Sequence, residues 1–385
     1  MTIATTAGRP HFSDGEMTRR HHDLMAAAAE HDVTRILVVG SERSGTGVQW
    51  LTGWPVTREA YVILEPGEQD TMFAGHYNHL PQARQVAAQA DVRWVGPSAI
   101  QTVLDELSSR AAPGGRWGVI GPLGARMYQT LTDAGMDVVD LAPVYTRLRQ
   151  IKSSEELDWL RRGAELSDAG IAGLAASLRS GITEYELGDI VERAYVPHGG
   201  TTHIHYFGVT PMATPSRANP AQYPSGRRVA PGDVVAVELS AAFGGYAGQV
   251  LRSFTVEADA TPLYAKMHDV AEQVFDAVRA VLRPGTTIDQ IQDAAAVIED
   301  AGFTTIDDLV HGFGGGYLPP VIGSRSRDID RTKAEPVRAG MTLVVQPNVT
   351  TPDGTAGVQF GELLHVTDDG AHSLHSAPRG LLRVG

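Results

Sequence analysis

Residues 232–238 read GDVVAVE, and residues 340–346 read GMTLVVQ. Each stretch has a turn glycine, then a short apolar run, and then a polar residue at the same offset, Glu238 in the first and Gln346 in the second. An apolar run of this length beside a turn glycine is typical of a buried strand. The matched offsets predict two equivalent strands of an internal repeat.

The repeat extends upstream of both strands. The sequence LRSGIT at residues 178–183 recurs as LRPGTT at residues 282–287. Each copy is predicted to end one long helix and to cap the next, because Thr183 and Thr287 are each followed three residues later by Glu or Gln, the spacing of a capping box.

A further strand is predicted in each half, at residues 246–254 and at residues 358–366. Two halves of helices and strands that pack about a pseudo-twofold axis would share one curved sheet. Glu238 would then face Gln346 across a central cleft. The sequence therefore predicts an α+β C-terminal domain with internal twofold symmetry.

The chain is predicted to have three parts. Residues 1–16 indicate a flexible polar leader, residues 17–149 an α/β domain, and residues 150–385 the domain with the repeat. The α/β domain is predicted from amphipathic helices that alternate with short runs rich in β-branched residues, at 36–39, 61–64, 92–95, 117–120 and 138–141. A capping box at Ser153 and Glu156 marks the start of the second domain.

Composition excludes several classes of function. The chain has 385 residues, a net charge of −13 and no cysteine. The negative charge argues against nucleic acid and anionic membranes as partners, and the missing cysteines exclude thiolate metal sites and a Cys nucleophile. No apolar run approaches a membrane span and the N-terminus does not resemble a signal peptide, so we expect a cytoplasmic protein that acts on a small molecule.

Five segments together resemble one known family. They are GDVVAVE at 232–238, GY at 245–246 with RSF at 252–254, HGFG at 311–314, GV at 357–358 with VT at 366–367, and the junction RQIKSSEE at 149–156. Their order and spacing resemble the pita-bread enzymes, the creatinase, prolidase and aminopeptidase P group of the peptidase M24 superfamily. The resemblance implies an α/β N-terminal domain, a pita-bread C-terminal domain and a homodimer.

The resemblance also identifies a departure from the family. Its metallopeptidases hold two divalent ions with two aspartates, one histidine and two glutamates, and those positions fall here on Glu238, Gln249, His311, Gln346 and Gly361. Only the histidine is unchanged. Glutamine is a neutral, weaker donor and glycine offers none, so we expect no two-metal site and no cofactor.

A single metal ion held by Glu238, His311 and Glu362 is the alternative. Glu362 adjoins the position that Gly361 occupies, and a strand bulge would turn its side chain inward. Strict strand alternation would instead point Glu362 away from the other two residues.

The residues that remain favour acid–base chemistry. Glu238 and His311 are the predicted catalytic pair, and Gln249, Gln346 and either Gln359 or Glu362 would orient a carbonyl, amide or guanidino group. The family's proton-handling histidine falls on Ala221, so creatine hydrolysis is not implied.

Four further residues are predicted to bind substrate. His203 and His205 alternate on a predicted strand and would share one face as a cleft wall or a metal pair, although packing is the better expectation for at least one of them. Arg217 would bind a substrate carboxylate, with a solvated surface position as the alternative. The family has a later histidine in its His-Gly-x-Gly segment. This chain lacks that histidine, and Tyr317 lies in the same region.

The sequence therefore predicts a metal-independent, creatinase-like enzyme that hydrolyses a C–N bond of an amide, amidine or ring in a small polar molecule. One alternative is a single-metal hydrolase or lyase of the Xaa-Pro peptidase type. The other is a binding protein that keeps the fold without the chemistry.

Overall fold

The structure is a computed structural model that describes residues 5–6, 9–42, 45–110, 115–327 and 335–385. The chain divides into two compact units, Met1–Arg149 and Gln150–Gly385. Within the described ranges, no helix combines the length and the apolar character that a membrane crossing requires.

The first unit is built on one six-stranded sheet. The strands of this unit are β1 (Thr5–Thr6), β2 (Arg9–Pro10), β3 (Ile36–Ser41), β4 (Glu59–Leu64), β5 (Thr71–Ala74), β6 (Asp91–Trp94), β7 (Arg116–Ile120) and β8 (Asp137–Asp140). Its helices are α1 (Asp14–Ala29), α2 (Gly47–Thr52), α3 (Leu80–Val86), α4 (Ala99–Arg110), α5 (Ala125–Asp133) and α6 (Ala142–Gln150), with a 3₁₀ helix at Tyr77–His79.

The strand order of that sheet is β6-β5-β4-β3-β7-β8, while β1 and β2 pair only with each other. Apolar cores cover both faces of the sheet, as expected when helices pack on each side. The five predicted runs correspond to β3, β4, β6, β7 and β8. The remaining strand of the sheet, β5, has no counterpart among them because its sequence, TMFA, is short and carries no run of β-branched residues.

The leader predicted at residues 1–16 ends earlier than expected. Helix α1 begins at Asp14, where the Ser13 hydroxyl accepts a hydrogen bond from the Glu16 backbone. Glu16 is buried and accepts a 2.7 Å hydrogen bond from Arg20, which fixes this turn in the helix. Residues 1–4, 7 and 8 of the predicted leader lie outside the described residues.

The second unit contains the internal repeat. Its helices are α7 (Ser154–Ser177), α8 (Glu184–Tyr195), α9 (Pro262–Val281), α10 (Ile288–Ala294) and α11 (Val297–Asp300), with a 3₁₀ helix at Val196–His198. Its strands are β9 (Thr201–Pro211), β10 (Asp233–Phe243), β11 (Tyr246–Val256), β12 (Thr304–Thr305), β13 (Val310–Phe313), β14 (Tyr317–Ile322), β15 (Thr342–Val345), β16 (Val349–Thr350), β17 (Gly361–Thr367), β18 (Gly370–Ser373) and β19 (Leu382–Val384).

The sheet order confirms the two halves. Strands run β14-β13-β15-β17-β11-β10-β9, so β11, β10 and β9 on one side of the centre mirror β17, β15 and β13 on the other. The capping boxes predicted at Ser153, Thr183 and Thr287 are all present. The strand predicted at residues 358–366 begins only at Gly361, because the backbone of Gln359 is hydrogen-bonded to the Ser253 side chain instead.

The central sheet has two different faces. One face, which we call the helix face, packs its apolar side chains against α7, α8 and α9. Successive side chains of a strand point to opposite sides, so the alternate positions form a second face, which we call the polar face. The helix α7 lies very close to β11: a Cβ on Gly248 would come within 2.3 Å of the Ala164 Cα, so this position requires glycine.

The two halves meet at a short seam on which a buried ion cluster lies. Strands β11 and β17 pair only at Val250 with Glu362 and at Leu251 with Gly361. On the helix face of this seam, Arg252 of β11 donates to Glu362 of β17 at 2.6 Å, and the two side chains are 0% and 2% exposed. Arg379 also donates to both carboxylate oxygens of Glu362, at 3.1 and 2.9 Å.

We expect Glu362→Gln to lower the free energy of unfolding by about 3 kcal/mol, because it leaves the buried charge of Arg252 without its counter-ion. Urea denaturation measures the change. The matched control is Asp189→Asn, which removes an ion pair with Arg193 whose side chains are 49% and 75% exposed and should cost at most about 0.5 kcal/mol. Equal effects of the two substitutions would contradict the role assigned to the seam.

Candidate functional site

Glu238 lies on the polar face near the middle of β10. Its strand neighbours Val237 and Leu239 are fully buried in the core on the helix face, so alternation turns Glu238 to the opposite side. Across the sheet it pairs with Tyr206 of β9 and Leu251 of β11. A carboxyl group is thereby held in the centre of an apolar strand framework.

A row of hydrogen bonds joins Glu238 to His311 through two amides. Gln249 donates through Nε2 to Glu238 Oε1 at 2.8 Å and to Gln346 Oε1 at 3.2 Å. The side chain of Gln346 is in turn hydrogen-bonded to His311. The His311 Nδ1 donates to the Gly312 carbonyl oxygen at 3.1 Å, so the hydrogen bond with Gln346 engages the other ring nitrogen, Nε2. The row therefore brings together four of the predicted site residues, two from each half.

The site shifts the pKa values of its two titratable groups in opposite directions. Burial, together with the nearby charge of Asp307, raises the pKa of Glu238 to about 8. Burial lowers the pKa of His311 below its ordinary value. At neutral pH the carboxyl group is therefore protonated and the imidazole is uncharged. Such a pair has an acid and a base ready at the same pH.

Aromatic rings enclose His311. Tyr317 stacks on its ring with a centroid separation of 4.4 Å, and Phe313 lies edge-on at 5.7 Å. The Tyr317 hydroxyl donates to Asp308, which fixes the stacked ring. The His203 ring packs against Phe313 at 5.8 Å. Tyr317 and His203 thus lie beside the row.

The prediction that His203 and His205 share one face is wrong. Strand β9 contains a one-residue bulge against β10, where the register shifts between Ser240 and Ala241. His203 is the extra residue, and a bulge turns a side chain out of strict alternation. His205 instead faces α8, where its Nε2 is hydrogen-bonded to the Tyr195 hydroxyl at 2.7 Å. His205 therefore lies away from the row and is half-buried against α8.

Glu362 is also removed from the site. Strict alternation holds at this strand, so Gly361 lies on the polar face and Glu362 on the helix face. Both of its carboxylate oxygens are engaged, by Arg252, Arg379 and Ser373. Burial alone would raise the pKa of Glu362, but the two arginines hold it below the ordinary value. The prediction that Glu362 binds substrate or a metal is wrong.

The two remaining predicted residues lie farther along the strands. Gln359 is 1% exposed, and its backbone is tied to Ser253. Arg217 lies in the loop between β9 and β10, where its backbone pairs with Ala356. The structure brings neither residue into a hydrogen bond with Glu238.

Two residues near Glu238 are absent from the predicted set. Tyr206 lies directly opposite Glu238 on β9, and burial with the charge of Glu238 raises its pKa. Strand pairing between β9 and β10 is the signal that would have identified it. Asp307 accepts a 3.1 Å hydrogen bond from Asn348 and adds to the shift of Glu238. It lies in the short loop between β12 and β13, so no periodic pattern marks it.

The donors of the site do not fit a pair of divalent cations. The row contains one carboxyl group, that of Glu238, beside two neutral amides. At Gly361, a Cβ would lie 2.6 Å from the Val345 carbonyl oxygen and 2.9 Å from the Gln346 Cα, so this backbone has no room for a side chain there. In the part of the chain that the structure describes, no three His, Asp or Glu side chains group as a metal site. The single-ion arrangement of Glu238, His311 and Glu362 is therefore wrong.

Comparisons with known proteins agree on a family. The sequence model of "Metallopeptidase family M24" matches residues 158–368. A probable dipeptidase PepE of Mycobacterium tuberculosis is 28% identical over 265 residues, a match that covers 66% of this chain and 66% of the relative, just under two thirds of its length.

Solved structures share the fold. A recombinant prolidase from Thermococcus sibiricus has a TM-score of 0.81 at 19% identity and covers 97% of this chain and 100% of its own. A dipeptidase PepE from Mycobacterium ulcerans has a TM-score of 0.80 at 24% identity, with coverage of 97% and 99%. At these identities the likeness shows the two-domain fold alone.

We expect the raised pKa of Glu238 to make the protein less stable as the pH rises. The unfolded chain releases this proton at the ordinary pKa of 4.5, and the folded chain releases it at a pKa of about 8. The free energy of unfolding therefore falls as the pH rises between these two values, and Glu238 changes it no further at higher pH. Each pKa unit corresponds to about 1.4 kcal/mol, which limits the loss to about 5 kcal/mol.

The measurement is urea denaturation of wild type and Glu238→Gln at a series of pH values. Glutamine keeps an oxygen that accepts from Gln249 and has no proton to lose, so the variant should gain stability relative to wild type from about pH 5 to about pH 9. A constant difference over that range would show that Glu238 titrates normally.

Proposed function

This chain belongs to metallopeptidase family M24, and we propose that it hydrolyses a C–N bond of a small polar molecule by acid–base catalysis, without a catalytic metal. The row Glu238–Gln249–Gln346–His311 carries the proposal. Amides stand at positions that the family resemblance assigns to metal-binding carboxylates, and they connect an acid to a base. Because the donors do not fit a metal pair, no step is assigned to one.

The proposed reaction begins with a substrate carbonyl or amidine carbon beside the row. A water molecule replaces Gln346 at the Nε2 of His311, neutral His311 takes a proton from it there, and the water oxygen bonds to that carbon. Protonated Glu238 gives its proton to the nitrogen as the C–N bond breaks. The products are an amine and a carboxylic acid, or an amine and an amide where the substrate is an amidine. The proton on His311 then returns to the Glu238 carboxylate as the products leave.

The amides act as positioning residues. Gln249 donates to Glu238 Oε1, which leaves Oε2 to carry the proton toward the substrate. Gln346 is anchored by Gln249 and holds the side chain of His311. Neutral amides also add no positive charge beside Glu238, so its protonated state is favoured by burial.

A second candidate is a dipeptidase. It is favoured by the relatives, since the M. tuberculosis protein is named a probable dipeptidase. A dipeptide also has a C–N bond between small polar groups, so the same acid and base would serve. The two candidates differ in the substrate and not in the residues that act on it.

We expect hydrolysis to be independent of added metal. The full chain, treated with EDTA and checked by elemental mass spectrometry, is assayed for release of amine from N-acetylglycine, pyroglutamate, creatine, glycylglycine and glycylproline. Glu238→Gln and His311→Ala should each lower kcat about 10²- to 10⁴-fold with little change in KM, because each removes a proton transfer. Asp189→Asn, on the exposed surface of α8, is the control that should keep the wild-type rate.

Three outcomes are decisive. Hydrolysis that appears only after Mn²⁺ or Zn²⁺ is added would contradict a metal-independent mechanism. Full activity of both variants would show that the site is elsewhere. Cleavage of the two dipeptides alone, without metal, would support the dipeptidase and exclude the other substrates.

A further inference from the structure

Two histidine rings lie close together in the first unit. They belong to the segment HYNH at residues 76–79, which links β5 to α3 and includes the 3₁₀ helix Tyr77–His79. The His79 backbone donates to the His76 carbonyl oxygen at 3.1 Å, which closes the turn. The ring centroids of His76 and His79 are 5.1 Å apart, and the ring planes are inclined by 75°. We call these two side chains the imidazole pair.

The separation of the pair is that of two imidazoles bound to one cation. A histidine nitrogen lies about 2.1 Å from a bound Zn²⁺ ion, and the centre of its ring lies about 1 Å farther away. When two such rings occupy adjacent positions of a tetrahedral or octahedral ion, their centres are therefore about 4.5 to 5 Å apart. The observed 5.1 Å fits this arrangement without a movement of the backbone.

The ring nitrogens of the pair are available to a ligand. Among the residues that the structure describes, neither ring has a hydrogen-bond or ion-pair partner. Both side chains are half-buried, so ions in solution reach them. A neutral imidazole has one nitrogen with a free lone pair, so the pair offers two donors. The buried Trp54 packs against the His79 ring at 6.1 Å and limits its movement.

We propose that His76 and His79 bind one divalent transition-metal ion. Imidazole suits Cu²⁺, Ni²⁺ and Zn²⁺, whereas Mg²⁺ and Ca²⁺ prefer oxygen donors. No third His, Asp or Glu joins the pair in the described part of the chain, so water fills the remaining coordination positions. Histidines of permanent metal sites usually donate their second nitrogen to a carboxylate or a carbonyl oxygen. The pair lacks that support, so the bound ion exchanges with solution.

This site is separate from the proposed reaction. The catalytic row lies in the second unit and contains one carboxyl group and one imidazole, whereas the pair supplies two imidazoles within four residues of the first unit. A metal ion found in the purified protein would therefore belong to His76 and His79. Hydrolysis by Glu238 and His311 would proceed at the same rate with the pair empty or occupied.

The test is isothermal titration calorimetry of the full, EDTA-treated and dialysed chain with Ni²⁺ and with Cu²⁺. We expect the pair to bind Cu²⁺ more tightly than Ni²⁺. His76→Gln and His79→Gln should each weaken the affinity at least about tenfold, because the loss of even an outer partner of a ligand has an effect of that size. His22→Gln, whose parent side chain is 78% exposed on α1, is the control that should keep the wild-type affinity.

Tryptophan fluorescence locates the bound ion. Cu²⁺ quenches indole emission at short range, and the Trp54 ring is 6.1 Å from the His79 ring. Micromolar Cu²⁺ should therefore quench the wild type and His22→Gln, and should quench His79→Gln much less. Equal quenching of these three proteins would place the ion elsewhere and overturn the proposal.

The titrations also separate this proposal from the proposed function. Unchanged affinity in both His76→Gln and His79→Gln, or no binding of either ion by wild type, would overturn the imidazole pair and leave the reaction standing. Wild-type affinity in His311→Ala would support the pair. Loss of the ion in His311→Ala, with both pair variants still binding it, would assign the metal to the row and contradict the metal-independent mechanism as well.

Discussion

The ion pair between Arg252 and Glu362 is the interaction on which the site depends. It joins β11 to β17 at a seam where the two strands share only two residue pairs. Glu238 and Gln249 come from one side of this seam, and Gln346 and His311 from the other. The row of hydrogen bonds on the polar face therefore keeps its spacing because a buried cluster on the helix face holds the two halves together.

Burial and a nearby acid explain why Glu238 has an unusual pKa. In a metal site, several carboxylates are balanced by the cations that they bind. Here Gln249 and Gln346 are neutral, and no cation faces Glu238 in a described contact. The acidic neighbour, Asp307, disfavours a second negative charge nearby. The carboxyl group therefore keeps its proton to a higher pH than an exposed glutamate does.

Much of the fold can be predicted from the repeat. The matched stretches at 232–238 and 340–346 predict the mirrored strand order, and the capping boxes predict where helices begin. The offset of Glu238 and Gln346 from their turn glycines also predicts that both belong to one site. These features depend on short-range periodicity, which a sequence displays directly.

The errors have a different origin. The bulge at His203 depends on how β9 pairs with β10, and a one-residue shift reverses the direction of a side chain. Glu362 lies one residue from a predicted ligand position, and its partner Arg379 is distant in sequence, so its role as a counter-ion has no local signal.

The most direct test of a protonated Glu238 is infrared difference spectroscopy of wild type against Glu238→Gln as a function of pH. We expect the wild type to show the carbonyl stretching band of a protonated carboxyl group at neutral pH, absent from the variant and lost with a midpoint near about 8. A carboxylate band at every pH above about 5 would show that Glu238 is ionised, and would contradict its role as the acid.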